Sequence, residues 1–528
     1  MAVHNIALTP ILALDVGNGY GKVALLTNWD AEPTFLLPES LRQGMDTTAY
    51  VAPDGAIEVY AARTRRAARA VRAVKTRLNE EAIYLNEKGT AYQVSPNAVY
   101  AAIARDMAML ANRELRAQGR EEIYDVVLTY PASFAHRHTL LAKMKQSVES
   151  VEINGHKLKV LHMISEPSAV AVEHLHFACH RAADPVTANE YTELVYDLGH
   201  GTFDAALVTA YADFAKDCEL HAQDGDDEVG GRIFDKVLYD EICNSLRRQN
   251  GYEPATAKER EDILQVAGEI KRALSEEETV VREIALPNAD VAVELTRARF
   301  EQLIAPYLQK SWNIVHKLLR TAQEKNIKVD AIVVSGGCSR IPCIARQLRE
   351  ITGGTIPVEV YKPSEAVSYG AARYGAARMQ PAETPAPEKD GKATPATDAA
   401  RKVLTQHADR AYGIWSPNET PAGHILYLTD AKETLPCWSK PLDAITSPSG
   451  ETRLWLYCSK AYTTGQTSGA VADCDQIQQV RLELPANTPV RIMTHINEER
   501  SITVSCQLPD GKTVKYTVSG GDTAVKES

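Results

Sequence analysis

The sequence predicts a large α/β unit followed by a smaller all-β unit. Three observations carry this. Up to residue 379, short aliphatic runs alternate with long helical patterns. Residues 381–400 read PAETPAPEKDGKATPATDAA, with no apolar period. Beyond them only short period-two runs occur, separated by turn signals. A chain of 528 residues has room for three or four compact units, and 44% hydrophobic residues rule out disorder throughout.

Within residues 1–379, strand-like runs fall at 11–15, 23–26, 125–129, 194–197, 205–208 and 331–335. Long helical patterns fall at 97–118, 260–274 and 299–325. Such alternation means helices packed on buried sheets. Residues 380–409 are expected to be an extended, solvated Pro/Ala-rich linker. Residues 410–518 carry alternating runs at 425–428, 454–458, 480–484, 490–496, 502–506 and 514–518. Turn signals at Ser447-Pro-Ser-Gly450, at 497–500 and at Pro509-Asp-Gly511 separate them, which is the pattern of a β-sandwich. Residues 519–528 form a polar tail, and no helical pattern follows the sandwich.

Fifty-eight basic against 69 acidic residues leave a net charge of −11, which argues against a general nucleic-acid or membrane-surface binder. The nine cysteines form no CxxC pair, so a zinc site is not expected and free thiols in a reducing compartment are. No apolar run approaches the roughly 18 residues of a membrane span. Residues 1–10 lack a secretion signal, and a cytoplasmic protein is expected.

An internal repeat carries the chemistry. Ile11-Leu-Ala-Leu-Asp15-Val-Gly17-Asn18-Gly19-Tyr20-Gly21 and Leu194-Val-Tyr-Asp197-Leu-Gly199-His200-Gly201-Thr202-Phe-Asp204 are each an apolar strand, an Asp, a glycine-rich turn and a second strand. The two aspartates lie 182 residues apart, as two duplicated half-domains require. Glycines let backbone approach another group closely, and successive N–H groups in such a turn cradle phosphate oxygens. An Asp at the strand end can hold Mg²⁺ through its water shell. Two such hairpins facing each other would clamp a polyphosphate. Because a strand follows each turn, this is neither a P-loop nor a Rossmann turn, which need a helix there. One glycine hairpin alone would read as a structural turn; the repeated Asp decides for phosphate. Two further glycine turns, Val229-Gly230-Gly231 and Ser335-Gly336-Gly337, the latter followed by a helix near Pro342, are by themselves ordinary turns.

These residues resemble the actin-like ATPase superfamily and, within it, the 70-kDa heat-shock chaperones (DnaK-like). The matching motifs are Asp197-Leu-Gly-His-Gly-Thr-Phe-Asp204, Tyr130-Pro131-Ala-Ser-Phe134, Ile164-Ser-Glu166-Pro167-Ser-Ala-Val170, Val229-Gly-Gly231, Lys271-Arg272-Ala-Leu-Ser275, Ser335-Gly-Gly337 with Arg340-Ile-Pro342, and Pro363-Ser364-Glu-Ala-Val-Ser-Tyr-Gly370. They stand in family order. His495-Ile-Asn-Glu-Glu-Arg-Ser-Ile-Thr-Val-Ser505 resembles late strands of the family's peptide-binding sandwich.

The resemblance implies duplicated ribonuclease-H-like halves, bound ATP or ADP with Mg²⁺, and slow ATP hydrolysis. It implies Mg²⁺ carboxylates at Asp15 and Asp197, a γ-phosphate contact at Thr202, and Glu166 orienting the attacking water. The bland alternatives are a strand Thr and a helix N-terminal carboxylate. Lys75, followed by Thr76-Arg77-Leu78, is similar to the family's catalytic lysine segment. It lies among Arg63, Arg65, Arg66, Arg69, Arg72 and Arg77, most of which a solvated helix face explains. Nucleotide contacts are implied at Gly17, Asn18, Gly19, Tyr20, Gly199, His200, Gly201, Gly230, Gly231, Lys271, Arg272, Ser275, Gly336, Gly337, Arg340 and Ser364. Two guanidinium planes, Arg272 and Arg340, can stack on an adenine; helix-surface ion pairs are the alternative. Unfolded or extended polypeptide, a J-domain co-chaperone and a nucleotide exchange factor are the implied partners.

The chain departs from the family at several points. Asn18-Gly19 replaces two hydroxyl residues and brings the first hairpin closer to the plasmid-segregation actins. His200 takes a glycine position, Gly268 that of an adenosine-contacting Glu, and Ser364 that of an Asp. The linker offers only Val403 and Leu404 where the family has a leucine run, and the family's helical lid is expected to be absent. Two rival readings stay open: a filament-forming actin-like ATPase, and an ATP-binding pseudoenzyme acting as an adaptor.

Overall fold

The computed structural model describes residues 8–29, 31–59, 69–87, 89–135, 137–180, 190–211, 218–285, 290–379, 404–406, 408, 410–416, 423–431, 433–460, 463–497, 502–518 and 525–527. The two repeat copies open two sheets of the same plan. In the first sheet Leu12–Val16 pairs in parallel with Asp125–Tyr130, which pairs in turn with Lys159–Ser165; on its other side lies its antiparallel hairpin partner Tyr20–Leu25. In the second, Glu190–Leu198 pairs in parallel with Ala331–Ser335 and then Val358–Val360; its hairpin partner Phe203–Tyr211 lies opposite, followed by Cys218–Asp226. Strands buried on both faces need continuous apolar runs, and Leu12–Val16 and Ala331–Ser335 are buried throughout.

The last long parallel strand of the first sheet runs straight into the helix Glu166–His180; the second sheet ends before the helix Ala366–Arg378. These two helices pack together between the sheets in one apolar cluster with Ala13, Val127, Val195, Ala206 and Val333. Their crossing is close: a methyl group on Gly370 would come within 1.7 Å of the Ala169 carbonyl oxygen. Each half has a further core of its own on the outer face of its sheet. The helices expected at 97–118, 260–274 and 299–325 are Pro96–Ala117, Ala257–Ala273 and Arg297–Glu324. The second starts three residues before its apolar pattern because Thr256 and Glu259 form a capping box.

The body of the expected linker, residues 380–403, lies outside the described residues, as do 407, 409 and most of the tail. Leu404–Gln406, expected to be solvated linker, is instead an edge strand of the second sheet, parallel to Cys218–Asp226 with Cys218 opposite Leu404. Backbone pairing at an open sheet edge does not depend on apolar side chains, so a three-residue strand leaves no period to read. Val525–Glu527, expected to be polar tail, likewise pairs with Thr513–Thr517.

Beyond residue 410 the described elements are strands and a short 3-10 turn, in two antiparallel sheets. One holds Tyr412–Ser416, His424–Thr429, Glu451–Ser459, Ser468–Ala470 and Cys474–Glu483; the other is built on Pro489–Ile496, Ile502–Gln507 and Thr513–Thr517. Ile414, Leu456 and Val480 of the first meet Ile492, Val504 and Cys506 of the second in one core. Tyr516 ties the sheets by donating to the Glu483 carbonyl at 3.2 Å and accepting from its N–H at 3.0 Å. No helix among the described residues is long and apolar enough to cross a membrane.

Candidate functional site

The two hairpins point their tips at each other. In the first, Asp15 stands opposite Lys22 and Val16 opposite Gly21, leaving Gly17, Asn18 and Gly19 at the tip, with Tyr20 opening the return strand. In the second, Asp197 stands opposite Asp204 and Leu198 opposite Phe203, leaving Gly199 to Thr202 at the tip. Thr47 braces the first tip, its hydroxyl donating to the Gly17 carbonyl at 3.0 Å and its N–H to that of Gly19 at 3.1 Å. The N-terminus of the helix Gly231–Asn250 braces the second: Gly231 N–H donates to the Gly199 carbonyl at 3.0 Å and Arg232 N–H to that of His200 at 2.6 Å.

Between the strands lies a buried charged cluster. Lys75, in a 3-10 turn, donates from Nζ to Oε1 of Glu166 at the head of the helix Glu166–His180. Thr129 donates to Asp15 Oδ1 at 3.0 Å, and Lys22 Nζ lies 3.9 Å from Asp15 Oδ2. Asp204 Oδ1 accepts from Ala132 N–H at 2.6 Å, which gives the Tyr130-Pro131-Ala-Ser-Phe134 motif a physical purpose: its turn docks the first half on the second hairpin.

The electrostatics follow from this crowding. Burial, then Glu166 and Asp15, push the Asp197 pKa up to about 8. Burial, Glu166 and Asp197 raise Asp204 well above the carboxylate range against a hydrogen bond from Thr202. For Lys75 burial pulls the pKa down, but Glu166, Asp15 and Asp204 outweigh it and the net shift is upward. Glu166 is raised by burial and Asp15 against the pull of Lys75. The upward shift of Lys75 keeps the lysine charged beside Glu166. Tyr100, buried beside the same cluster, is raised by burial, Glu166 and Asp15.

Asp15, Glu166, Asp197 and Asp204 thus outnumber Lys22 and Lys75, and Asp197 Oδ1 and Asp204 Oδ2 are buried with no hydrogen-bond partner. Buried carboxyl oxygens without a partner are costly, and a cation, which would favour their ionised form, fits here. Among the described residues no three His, Cys, Asp or Glu side chains form a complete metal cage.

The remaining predicted residues fall around the second hairpin. Gly336 is left-handed, with φ of 82°, and a methyl group there would come within 2.6 Å of Asp197 Oδ1. Lys271 donates to the Gly231 carbonyl at 3.1 Å and pairs with Asp235 at 2.7 Å. Burial and Lys271 push the pKa of His200 down to about 4, so its ring is neutral. Arg272, Gly337 and Arg340 are exposed near these turns, and Ser275 bonds only its own helix through the Lys271 carbonyl. Ser364 lies farther along, before the helix Ala366–Arg378, and its N–H donates to the neighbouring Glu365. Asp204, Lys22, Thr129 and Tyr100 were not singled out from the sequence. For two of them a signal existed: Lys22 and Asp204 each stand seven residues after the repeated Asp.

Residues 62–383 match the family model described as "Hsp70 protein". The chain belongs to the Hsp70 family. It is similar to "Heat shock 70 kDa protein BIP3" of Oryza sativa subsp. japonica, 31% identical over 282 residues, covering 53% of this chain and 39% of that protein. It is similar also to "Heat shock cognate HSP70 protein" of Trypanosoma brucei brucei, at 29% over 259 residues, 48% of this chain and 36% of that protein. A "Chaperone protein HscA homolog" of Haemophilus influenzae (strain PittEE) matches at 28% over 270 residues, 51% of this chain and 39% of that protein. The matched stretch of this Hsp70-family chain thus spans less than half the length of these curated relatives.

Proposed function

We propose that this Hsp70-family protein holds Mg²⁺-ATP between its two glycine hairpins, hydrolyses it slowly, and couples that cycle to binding of extended polypeptide by its C-terminal β-sandwich. One observation carries the reading. The repeated aspartates, Asp15 and Asp197, meet a buried Lys75–Glu166 pair whose members lie 91 residues apart in sequence.

Each residue then has a task. Bound Mg²⁺ would neutralise charge on the phosphate chain, held through water by Asp15 and Asp197. Glu166 orients the attacking water and takes its proton. Lys75 fixes the Glu166 carboxylate and lends positive charge toward the γ-phosphate. Thr202 offers a hydroxyl, and the tip glycines offer backbone N–H groups. Lys271, Arg272, Ser275, Gly336, Gly337 and Arg340 line the adenosine side, with ADP retained by the same contacts.

Coupling has a physical route. The strand Cys218–Asp226 pairs at its start with Leu404–Gln406 and ends just before the Gly230–Gly231 turn. A shift of that turn on nucleotide exchange would reach the segment leading to the β-sandwich. Polypeptide would add main-chain hydrogen bonds at a sheet edge of that unit. A J-domain co-chaperone, a nucleotide exchange factor and a cytoplasmic setting complete the reading.

The test is steady-state ATPase turnover of the full chain, with Mg²⁺, with and without an unfolded peptide. Stimulation by peptide is expected. Turnover no faster than that of Glu166→Ala would reject hydrolysis in favour of a nucleotide-binding adaptor. Turnover that rises cooperatively with protein concentration would favour a filament.

A further inference from the structure

Asn18 and His200 occupy the same place in the two repeats, each three residues after the repeated Asp. The structure gives them the same job in mirror image. A methyl group on Gly201 would come within 2.7 Å of Asn18 Cγ. A methyl group on Gly19 would come within 2.8 Å of Cγ and Cδ2 of the His200 ring. Each side chain therefore rests on the second glycine of the opposite hairpin, where only glycine leaves room. We propose that Asn18 and His200 form a reciprocal clasp that holds the two hairpin tips shut over each other, and that nucleotide enters only when the clasp parts.

The argument rests on the nucleotide reading above and adds a gate to it. The Asn18 side chain lies against Gly201 and the His200 ring against Gly19, so both side chains occupy the space between the tips. Asn18 is 9% exposed, and its Oδ1 is buried with no hydrogen-bond partner. Leaving a buried amide oxygen unsatisfied is costly, and water or a ligand's hydration shell in an open cleft would satisfy it. The closed clasp is thus held by packing yet carries a penalty that opening relieves. The hold is anchored from behind on both sides, by Thr47 on the first tip and by Gly231 and Arg232 on the second. A neutral imidazole suits this packing, since it brings no charge against the Gly19 backbone.

When the competent state is only part of the population, apparent binding is reduced by that fraction. If the open clasp is about a tenth of the population, removing it raises the apparent association rate about tenfold. Because both side chains belong to one device, the effects of removing them should not add.

The experiment compares the full-length wild type with Asn18→Gly, His200→Gly and the double variant. Stopped-flow association of a fluorescent ADP analogue with Mg²⁺ is expected to be faster in each variant, and no faster in the double than in the quicker single. Amide hydrogen exchange without nucleotide gives an independent readout. His200→Gly should speed exchange at residues 17–20, and Asn18→Gly at 199–202. Association rates and cross-hairpin exchange both unchanged would overturn the clasp. Unchanged association with faster dissociation would also overturn it, in favour of simple phosphate contacts. If no chain binds nucleotide while cross-hairpin exchange responds, the nucleotide reading fails and the closure itself stands. Should His200→Gly not fold, His200→Ala removes the same ring contact and keeps the exchange test in force.

Discussion

Asp197→Asn should flatten the pH dependence of stability. In the fold the Asp197 carboxyl is buried beside Glu166 and Asp15, with its pKa pushed up to about 8. In the unfolded chain it titrates at about 3.9. Between these values the folded chain holds a proton that the unfolded chain has lost. Stability from this group is therefore present at low pH, falls as pH rises through that window, and is gone above about pH 8. From pH 5 to pH 7 the linkage allows a loss of up to about 2.7 kcal/mol, at about 1.4 kcal/mol per pKa unit. Water entry and relaxation around the cluster lower this, and about 1–2.5 kcal/mol is expected. Asparagine does not titrate, so the difference between the wild-type and variant profiles reports the Asp197 carboxylate together with its coupling to Asp204, whose pKa it raises. Urea unfolding of both proteins from pH 5 to pH 9, followed by tryptophan fluorescence and far-UV circular dichroism, measures it. Mg²⁺ with nucleotide should narrow the difference by favouring the ionised carboxylate. Two profiles that stay parallel to within about 0.5 kcal/mol would sink the claim that Asp197 is held protonated by its neighbours.

Three more perturbations probe the same framework. Lys75→Met strands Glu166 as a buried, unpaired carboxylate and should cost about 3–5 kcal/mol in urea unfolding. The double variant Lys75→Met/Glu166→Gln should regain most of that stability, while steady-state turnover stays about 10²-fold down. Arg373 is 1% exposed and donates to Glu173 at 2.5 Å and to the Trp29 carbonyl at 2.8 Å. Arg373→Ala should cost about 2–3 kcal/mol, seen as a lowered melting temperature, because Glu173 Oε2 and the Trp29 carbonyl lose their donor while Lys362 still holds Glu173 Oε1 at 2.9 Å. Gly370→Ala forces apart the helices Glu166–His180 and Ala366–Arg378, and unfolding should report a loss of about 1–3 kcal/mol or more.

Much of the site was legible before any coordinates. The two glycine hairpins, their aspartates and the strands around them follow from local sequence, because a buried strand needs an apolar run and a tight tip needs glycine. Less local features were not. Leu404–Gln406 pairs through its backbone, and no side-chain pattern announces that. Ser364 matches a family position yet bonds only its neighbour Glu365. Asp204 stood in a quoted motif, but its place in the cluster depends on Ala132 reaching it from the other half of the molecule.

The sequence by itself determined the kind of chemistry: repeated carboxylates after apolar strands, glycines at the turns, and a lysine and a glutamate of the right types. Those are properties of residue type and spacing, and the chain carries them unfolded. Only the tertiary structure decided which groups share one low-dielectric pocket. It set Lys75 on Glu166, crowded four carboxylates until Asp197 holds its proton near neutral pH, and laid Asn18 and His200 across the opposite hairpins. Charge interactions and steric exclusion depend on distance through space. Residues 91 or 182 positions apart acquire that distance only when both halves have folded and docked.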